Sequence, residues 1–301
     1  LEALTRQDLP SSDYEIIVVD DRPSSASEQL VHDWASRGLV RIRYTNSSGG
    51  CGPSVARNIG WRMSAAPVVA FTDDDCVPAA DWLRSGLSLM ADSVDAAWGG
   101  VRMPLPPIPT DYERDASNLS RAGFVTANCF CRRSILERVG GFDERFRAAW
   151  REDSDLFFTL LEAGCNVIPA PDAVVTHPIR PAPWGISVLQ QKKCQYNALL
   201  FKKHPRLYRS DVQPRPPWRY YATVASAAAV LPAAVAGLQP VISMAVTVWL
   251  ALTAGFAGRR LRGTSRSLSH LAEIAVTSAL IPPLAVYWRL RGALRYRVAF
   301  L

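Results

Sequence analysis

The segment "FTDDDCVP" sets Asp73, Asp74 and Asp75 directly after an apolar run. Three adjacent carboxylates repel one another, and none is buried cheaply without a partner. Residues two apart in an extended segment face the same way, so Asp73 and Asp75 converge while Asp74 turns elsewhere. Two convergent carboxylates with room for water and phosphate oxygens describe a site for Mg²⁺ or Mn²⁺. The plainer alternative is a solvated acidic turn ahead of "PAADWL". A second pair, Asp20 and Asp21, follows the apolar "YEIIVV". A third group, Glu152, Asp153 and Asp155, opens "REDSDLFFTLLEAG". Capping explains one acid at a helix start well and three poorly.

These acids need elements to carry them. Short β-branched runs at 14–19, 40–45 and 68–72 read as strands, and segments near 26–37 and 54–65 read as helices between them. "SGGCGPS" (48–54) and "PLPPIPT" (104–110) are loops by their Gly and Pro content. A helix near 80–91, strand-like segments near 96–103 and 125–132, a helix from about 153 and a short strand near 172–176 continue the alternation. The expected class is α/β, with a mostly parallel sheet covered by helices on both faces. Ligands of such sheets bind beyond the carboxyl ends of the strands, where Asp20, Asp21 and Asp73–Asp75 would gather. "LEALTRQDLP" reads as the tail of a helix, with an earlier strand expected upstream.

From about residue 220 the composition changes. Residues 220–238 and 241–257 carry no charge and approach the roughly 20 residues of a bilayer span. Only "QP" separates them, so they read as a helical hairpin. Arg215 and Arg219 precede it, and Arg259, Arg260, Arg262 and Arg266 follow. By the positive-inside rule both flanks lie in the cytoplasm. A third apolar run, 271–288, contains Glu273 and Pro282-Pro283 and is either a further span or an interfacial helix. The expected organisation is therefore a domain over 1–205, a basic linker over 206–219 and a membrane region over 220–301.

The formal net charge is +7. Its excess flanks apolar runs rather than interleaving with aromatics on one folded face, which argues against a nucleic-acid binder. The six cysteines show neither CxxC nor zinc-type spacing and read as reduced thiols of a cytosolic domain.

"EIIVVDD", "GPSVARNIGW", "FTDDDCVPAADWL", "CRRSILERVGGFDERF" and "REDSDLFF" occur in the order and approximate spacing of family 2 glycosyltransferases of the GT-A fold. The resemblance covers roughly residues 1–205, and the apolar C-terminal segments resemble the membrane anchors of many bacterial members. It implies a nucleotide-diphosphate-sugar donor (a UDP-sugar foremost), Mg²⁺ or Mn²⁺, inversion at the anomeric carbon and a glycan or lipid-linked acceptor at the plasma membrane. By position, Asp20 or Asp21 would hold the nucleoside, with Asp74 also on the donor side. Asp73 and Asp75 match the two acids of the metal-binding DxD motif. Asp153 matches the acid that takes the acceptor's proton, supported by Glu152 and Asp155. Arg57 and Asn58 lie on the helix leading toward the donor, or are surface structure. His177, in "VVTHP", is a further metal or phosphate contact or an ordinary structural histidine. Two other readings are a membrane assembly subunit without turnover and a phosphate-receiver domain. The second lacks a strand-end Lys near 168–180. Arg22-Pro23 also stands where the family usually has Gly-Ser.

Overall fold

The computed structural model describes residues 1–91 and 93–300. In chain order it contains β1 (Glu15–Asp20), α1 (Ser25–Ala35), β2 (Arg41–Asn46), α2 (Pro53–Met63), β3 (Val68–Thr72), β4 (Val77–Pro78), α3 (Trp82–Ser88), β5 (Ala96–Arg102), α4 (Asp111–Ala116), β6 (Asn128–Arg132), α5 (Arg133–Val139), α6 (Glu152–Glu162) and β7 (Val167–Thr176). Then follow α7 (Ile186–Leu189), α8 (Gln195–Lys203), α9 (Pro205–Leu207), α10 (Trp218–Val235), α11 (Gln239–Arg260) and α12 (Leu268–Tyr296).

Two units form: residues 1–104 with 117–179, and residues 105–116 with 180–301. The expected boundary at 205 therefore moves to 180, because α7 and α8 pack on α12. Residues 105–116, which include most of the loop expected over 104–110, belong to the second unit.

In the first unit β1 and β2 pair in parallel, and five further strands form a second sheet in the order β3-β6-β5-β7-β4. That sheet is mixed rather than mostly parallel. β5 and β7 run parallel, whereas β3 with β6, β5 with β6, and β4 with β7 are antiparallel. β6 shows how a two-residue repeat fills two layers. Cys129 and Cys131 point into one apolar cluster with Phe71, Leu136, Leu156 and Leu160. Phe130 points into the other, with Trp82, Val101 and Val175. Phe130 meets Trp82 at 5.2 Å between ring centroids, and the Trp82 Nε1 donates to Asn128 Oδ1 at 2.8 Å. Among the described residues no cysteine forms a disulfide, and Cys129, Cys131 and Cys165 are buried.

The helices start where their sequences permit. Ser24 caps α1 by accepting from Ser27 N, and α2 opens with Pro53 at its first turn, where a missing N–H costs nothing. In the second unit the guanidinium of Arg260 is buried. It pairs with Asp111 at 2.8 Å and donates to Thr277 Oγ1 at 2.7 Å and Ser278 Oγ at 3.0 Å. That cluster fastens α4 to α11 and α12. Two helices, α11 and α12, are long and apolar enough to cross a membrane among the described residues. The first expected span falls on α10, which is not among those two and whose opening turn carries Trp218, Arg219, Tyr220 and Tyr221. α12 runs unbroken through Pro282-Pro283.

Candidate functional site

Asp20, Asp21, the Asp73–Asp75 triplet, Arg57, Asn58, the start of α6 and His177 all lie in the first unit. Asp20 closes β1, and Asp21 follows it. Asp21 Oδ1 accepts from Ser47 Oγ at 2.8 Å and from Gly52 N at 2.9 Å, so this acid holds the glycine loop in place. Asp20 accepts from the Arg22 backbone at 2.9 Å and from the Tyr44 hydroxyl at 3.4 Å. Gly52 has φ 98°, and a Cβ there would meet the backbone oxygen of Arg147 at 2.7 Å. A side chain is thus excluded twice, by conformation and by space.

The centre of the arrangement is Arg57. Its Nη2 donates to Asp73 Oδ1 at 3.0 Å and its Nη1 to Glu152 Oε1 at 2.9 Å. One guanidinium thus bridges the acid after β3 to the acid that opens α6. Burial alone would depress Arg57, but Asp73 and Glu152 outweigh it and raise its pKa, so it stays charged. Glu152 is 4% exposed. Burial, and then the charge of Asp153, push its carboxyl up to about 7, with Arg57 pulling downward. Asp153 is also raised, chiefly by burial, against bonds from Ser154 and the charges of Arg57 and Arg151. Its Oδ1 accepts from Ser154 N at 2.6 Å. Asp155 is buried in the same helical turn. Arg151, which precedes the helix, takes a left-handed φ of 76°.

Asn58 behaves differently from its neighbour. A helical step turns successive side chains by about 100°, so Arg57 faces the acids and Asn58 faces the loop after α5. Its Nδ2 donates to Phe142 O and to Glu144 Oε1, both at 2.9 Å. Its Oδ1 accepts from Trp61 Nε1 and Phe142 N, both also at 2.9 Å. Every hydrogen-bonding position is taken inside the protein, where Asn58 clamps the Gly140–Gly141 turn, a structural arrangement as in the second of the two readings expected for it. Gly141 is part of that fit, since a Cβ there would meet Asn58 Oδ1 at 2.5 Å.

Asp74 is the exposed member of the triplet, as an alternating segment requires. Asp75 Oδ1 lies 3.4 Å from His177 Nε2. The antiparallel pairing of Val77 with Thr176 brings these segments together. Asp75, Cys76 and His177 offer one ligand atom each, all within 4.8 Å of one another. The Asp75 carboxylate suits Mg²⁺ or Mn²⁺, and an imidazole beside it fits the transition metal Mn²⁺ better than Mg²⁺, which keeps to oxygen ligands. Cys76 contributes less: burial pushes its thiol up to about 12, with Asp73 adding to the rise, so it remains protonated. Asp73, the other expected ligand, is engaged by Arg57. Sequence reasoning missed Cys76, Tyr44, Ser47 and Glu144. Only the adjacency of Cys76 to the triplet could have signalled its place.

Comparison with known proteins bears on the family and the fold. The family model described as Glycosyl transferase family 2 matches residues 1–142, and that of Glycosyl transferase family group 2 matches residues 110–258. Glycosyltransferase AglE of Haloferax volcanii is 29% identical over 193 residues, covering 60% of this chain and 62% of the relative. The pre-mycofactocin glycosyltransferase of Mycobacterium tuberculosis is 31% identical over 179 residues, covering 54% of this chain and 37% of the relative. These matches thus span less than two thirds of either relative's length. Among solved structures, a mannosyltransferase from Pyrobaculum calidifontis in complex with GDP-Man and Mn²⁺ shares the fold. Its TM-score is 0.61 at 21% identity, covering 98% of this chain and 82% of that one.

Proposed function

The chain belongs to the family 2 glycosyltransferases, and from that premise we propose that it is a membrane-anchored, inverting enzyme. It transfers a sugar from a nucleotide-diphosphate donor to an acceptor hydroxyl. The observation that carries this reading is the Arg57 bridge, which ties a donor-side acid, Asp73, to the acidic start of α6.

Asp153 acts as the general base. Its raised basicity suits a carboxylate that must accept a proton near neutral pH. The acceptor's O–H proton passes to Asp153. The acceptor oxygen bonds to the anomeric carbon from the face opposite the diphosphate, and the bond from that carbon to the diphosphate oxygen breaks with its electron pair. Inversion follows from a single displacement. Glu152 and Asp155 support the base, and Arg57 keeps Glu152 and Asp73 in fixed relation. Asp20, Asp21 and Asp74 serve the donor's nucleoside end. Asp75 and His177, with Asp73 alongside, would hold Mg²⁺ or Mn²⁺, which when bound supplies Lewis-acid neutralisation of the leaving diphosphate.

Anchoring rests on α11, one of the two helices long and apolar enough to cross a membrane, with the shorter α10 paired to it. Only 6% of the apolar window of α11 is buried, whereas the core helix of a soluble protein would be covered. Leu231, Val235 and Met244 stand exposed. Arginines before α10 and at the end of α11 favour a cytoplasmic location for both flanks, at the plasma membrane. A glycan or lipid-linked acceptor suits that address. UDP- and GDP-sugars are the donors to screen first, the second because the Pyrobaculum neighbour holds GDP-Man.

The test is metal-dependent transfer by the purified chain, with Asp153→Asn as the diagnostic variant. We expect donor affinity to be kept and transfer to fall by about 10²- to 10⁴-fold. Wild-type turnover by that variant refutes the assignment of the base, and absence of both transfer and donor hydrolysis in the wild type refutes the enzymatic reading.

A further inference from the structure

The second unit treats its arginines in two ways. Arg260 is buried and fully occupied by Asp111, Thr277 and Ser278. Arg215, Arg219 and Arg259 are exposed, and among the described residues no ion pair or hydrogen bond engages their guanidinium groups. All three line one open cavity of about 490 Å³, together with Trp218, Tyr220 and Phe256. No carboxylate lines it. The Arg259 guanidinium carbon lies 5.8 Å from the Phe256 ring, and Phe256 meets Tyr220 edge-on at 5.4 Å.

The cavity's position gives it meaning. α10 begins at Trp218 and α11 ends at Arg260, with the chain reversing at 236–238. Arg219 and Arg259 therefore share one end of an antiparallel pair. From there the paired helices run without a charge through residues 220–257, about 24 Å along α10. An apolar shaft, then Trp and Tyr, then arginines repeats the order of hydrocarbon, interface and phosphate across one leaflet. Guanidinium groups pair with phosphate oxygens bidentately.

We propose that this cavity binds the phosphate headgroup of an anionic membrane lipid, with Arg215, Arg219 and Arg259 on the phosphate and Trp218 and Tyr220 at the glycerol level. The inference rests on the anchoring reading above. The site uses none of the groups assigned above to the donor and acceptor.

The experiment melts the full chain in neutral detergent with added phosphatidylglycerol, phosphatidylcholine or inorganic pyrophosphate. It compares the wild type with R215Q/R219Q/R259Q and with the corresponding triple Lys variant. Phosphatidylglycerol is expected to raise the wild-type melting temperature and phosphatidylcholine to leave it unchanged, while any pyrophosphate shift, which the diphosphate site of the first unit can also give, is the same in wild type and triple Gln variant. Each basic residue at an anionic surface is worth about fivefold in affinity, so the triple Gln variant needs on the order of 100-fold more phosphatidylglycerol for the same shift. The Lys variant retains most of the response. Equal responses of wild type and triple Gln variant overturn the site. A pyrophosphate shift as large as that with phosphatidylglycerol and lost in the triple Gln variant overturns the lipid as its ligand. Release of the wild type from membranes by alkaline carbonate overturns the anchoring and this site together. Retention combined with an unchanged lipid response overturns the site alone.

Discussion

Replacing Glu152 with Gln isolates one charge in a site built from several. Only Oε1 of Glu152 is paired, with Arg57, and its Oε2 is buried without a hydrogen-bond partner. Burial first, and Asp153 second, hold its carboxyl at about 7 rather than the ordinary 4.5, despite Arg57. The folded protein thus grips this proton more tightly than the unfolded chain does. Stability from this group is complete below pH 4.5 and declines as pH rises toward 7. Across that gap, at about 1.4 kcal/mol per pH unit, the decline is on the order of 3 kcal/mol. Asp153, also raised, adds to it with the same sign. Two measurements check this: the infrared carbonyl band of protonated carboxyl groups as a function of pH, and melting temperatures over the same range. In the wild type the band should persist above about pH 6 and fade near 7, while melting temperature drops. Glu152→Gln should lose most of the band and flatten most of the slope. A wild type with no protonated carboxyl above about pH 5.5, or a variant with the wild-type slope, refutes the reasoning.

Two further substitutions probe other parts of the site. His177→Ala should weaken Mn²⁺ and donor binding by about 10- to 100-fold in calorimetric titration, with the melting temperature of the ligand-free protein little changed. Asn58→Ala removes four internal hydrogen bonds and strands the partners around Phe142. It should destabilise the protein by about 3 kcal/mol in denaturant titration, with donor affinity preserved if the folded fraction is counted.

The elements that carry the acids were legible because their signals are local. β1, β3 and α2 announce themselves through β-branched runs and a Gly-Pro start, and α6 through its apolar stripe. Strand direction was not legible, since apolar pattern is the same whichever way a neighbour runs. β7 illustrates a second limit. Pro169 and Pro171 argue against a strand, yet β7 covers Val167–Thr176. A register shift between Gly99 and Gly100 passes over 171–173 and absorbs the second proline. At the site, Asp75 and His177 meet only through the pairing of two short strand ends, which no spacing in the sequence announces. Arg57 and Asn58 were read as a pair, but one step of helix sends them to opposite tasks. The acidic clusters themselves were readable because so many like charges need a reason.

Arg57 has a consequence for how this protein can be altered. Since a single cation serves Asp73 and Glu152, changes at those two acids cannot be scored independently. Losing one frees the arginine to lean wholly on the other, so the second loss costs a different amount from the first. Acids far apart along the chain thereby share a common fate, and engineering either one means designing both at once.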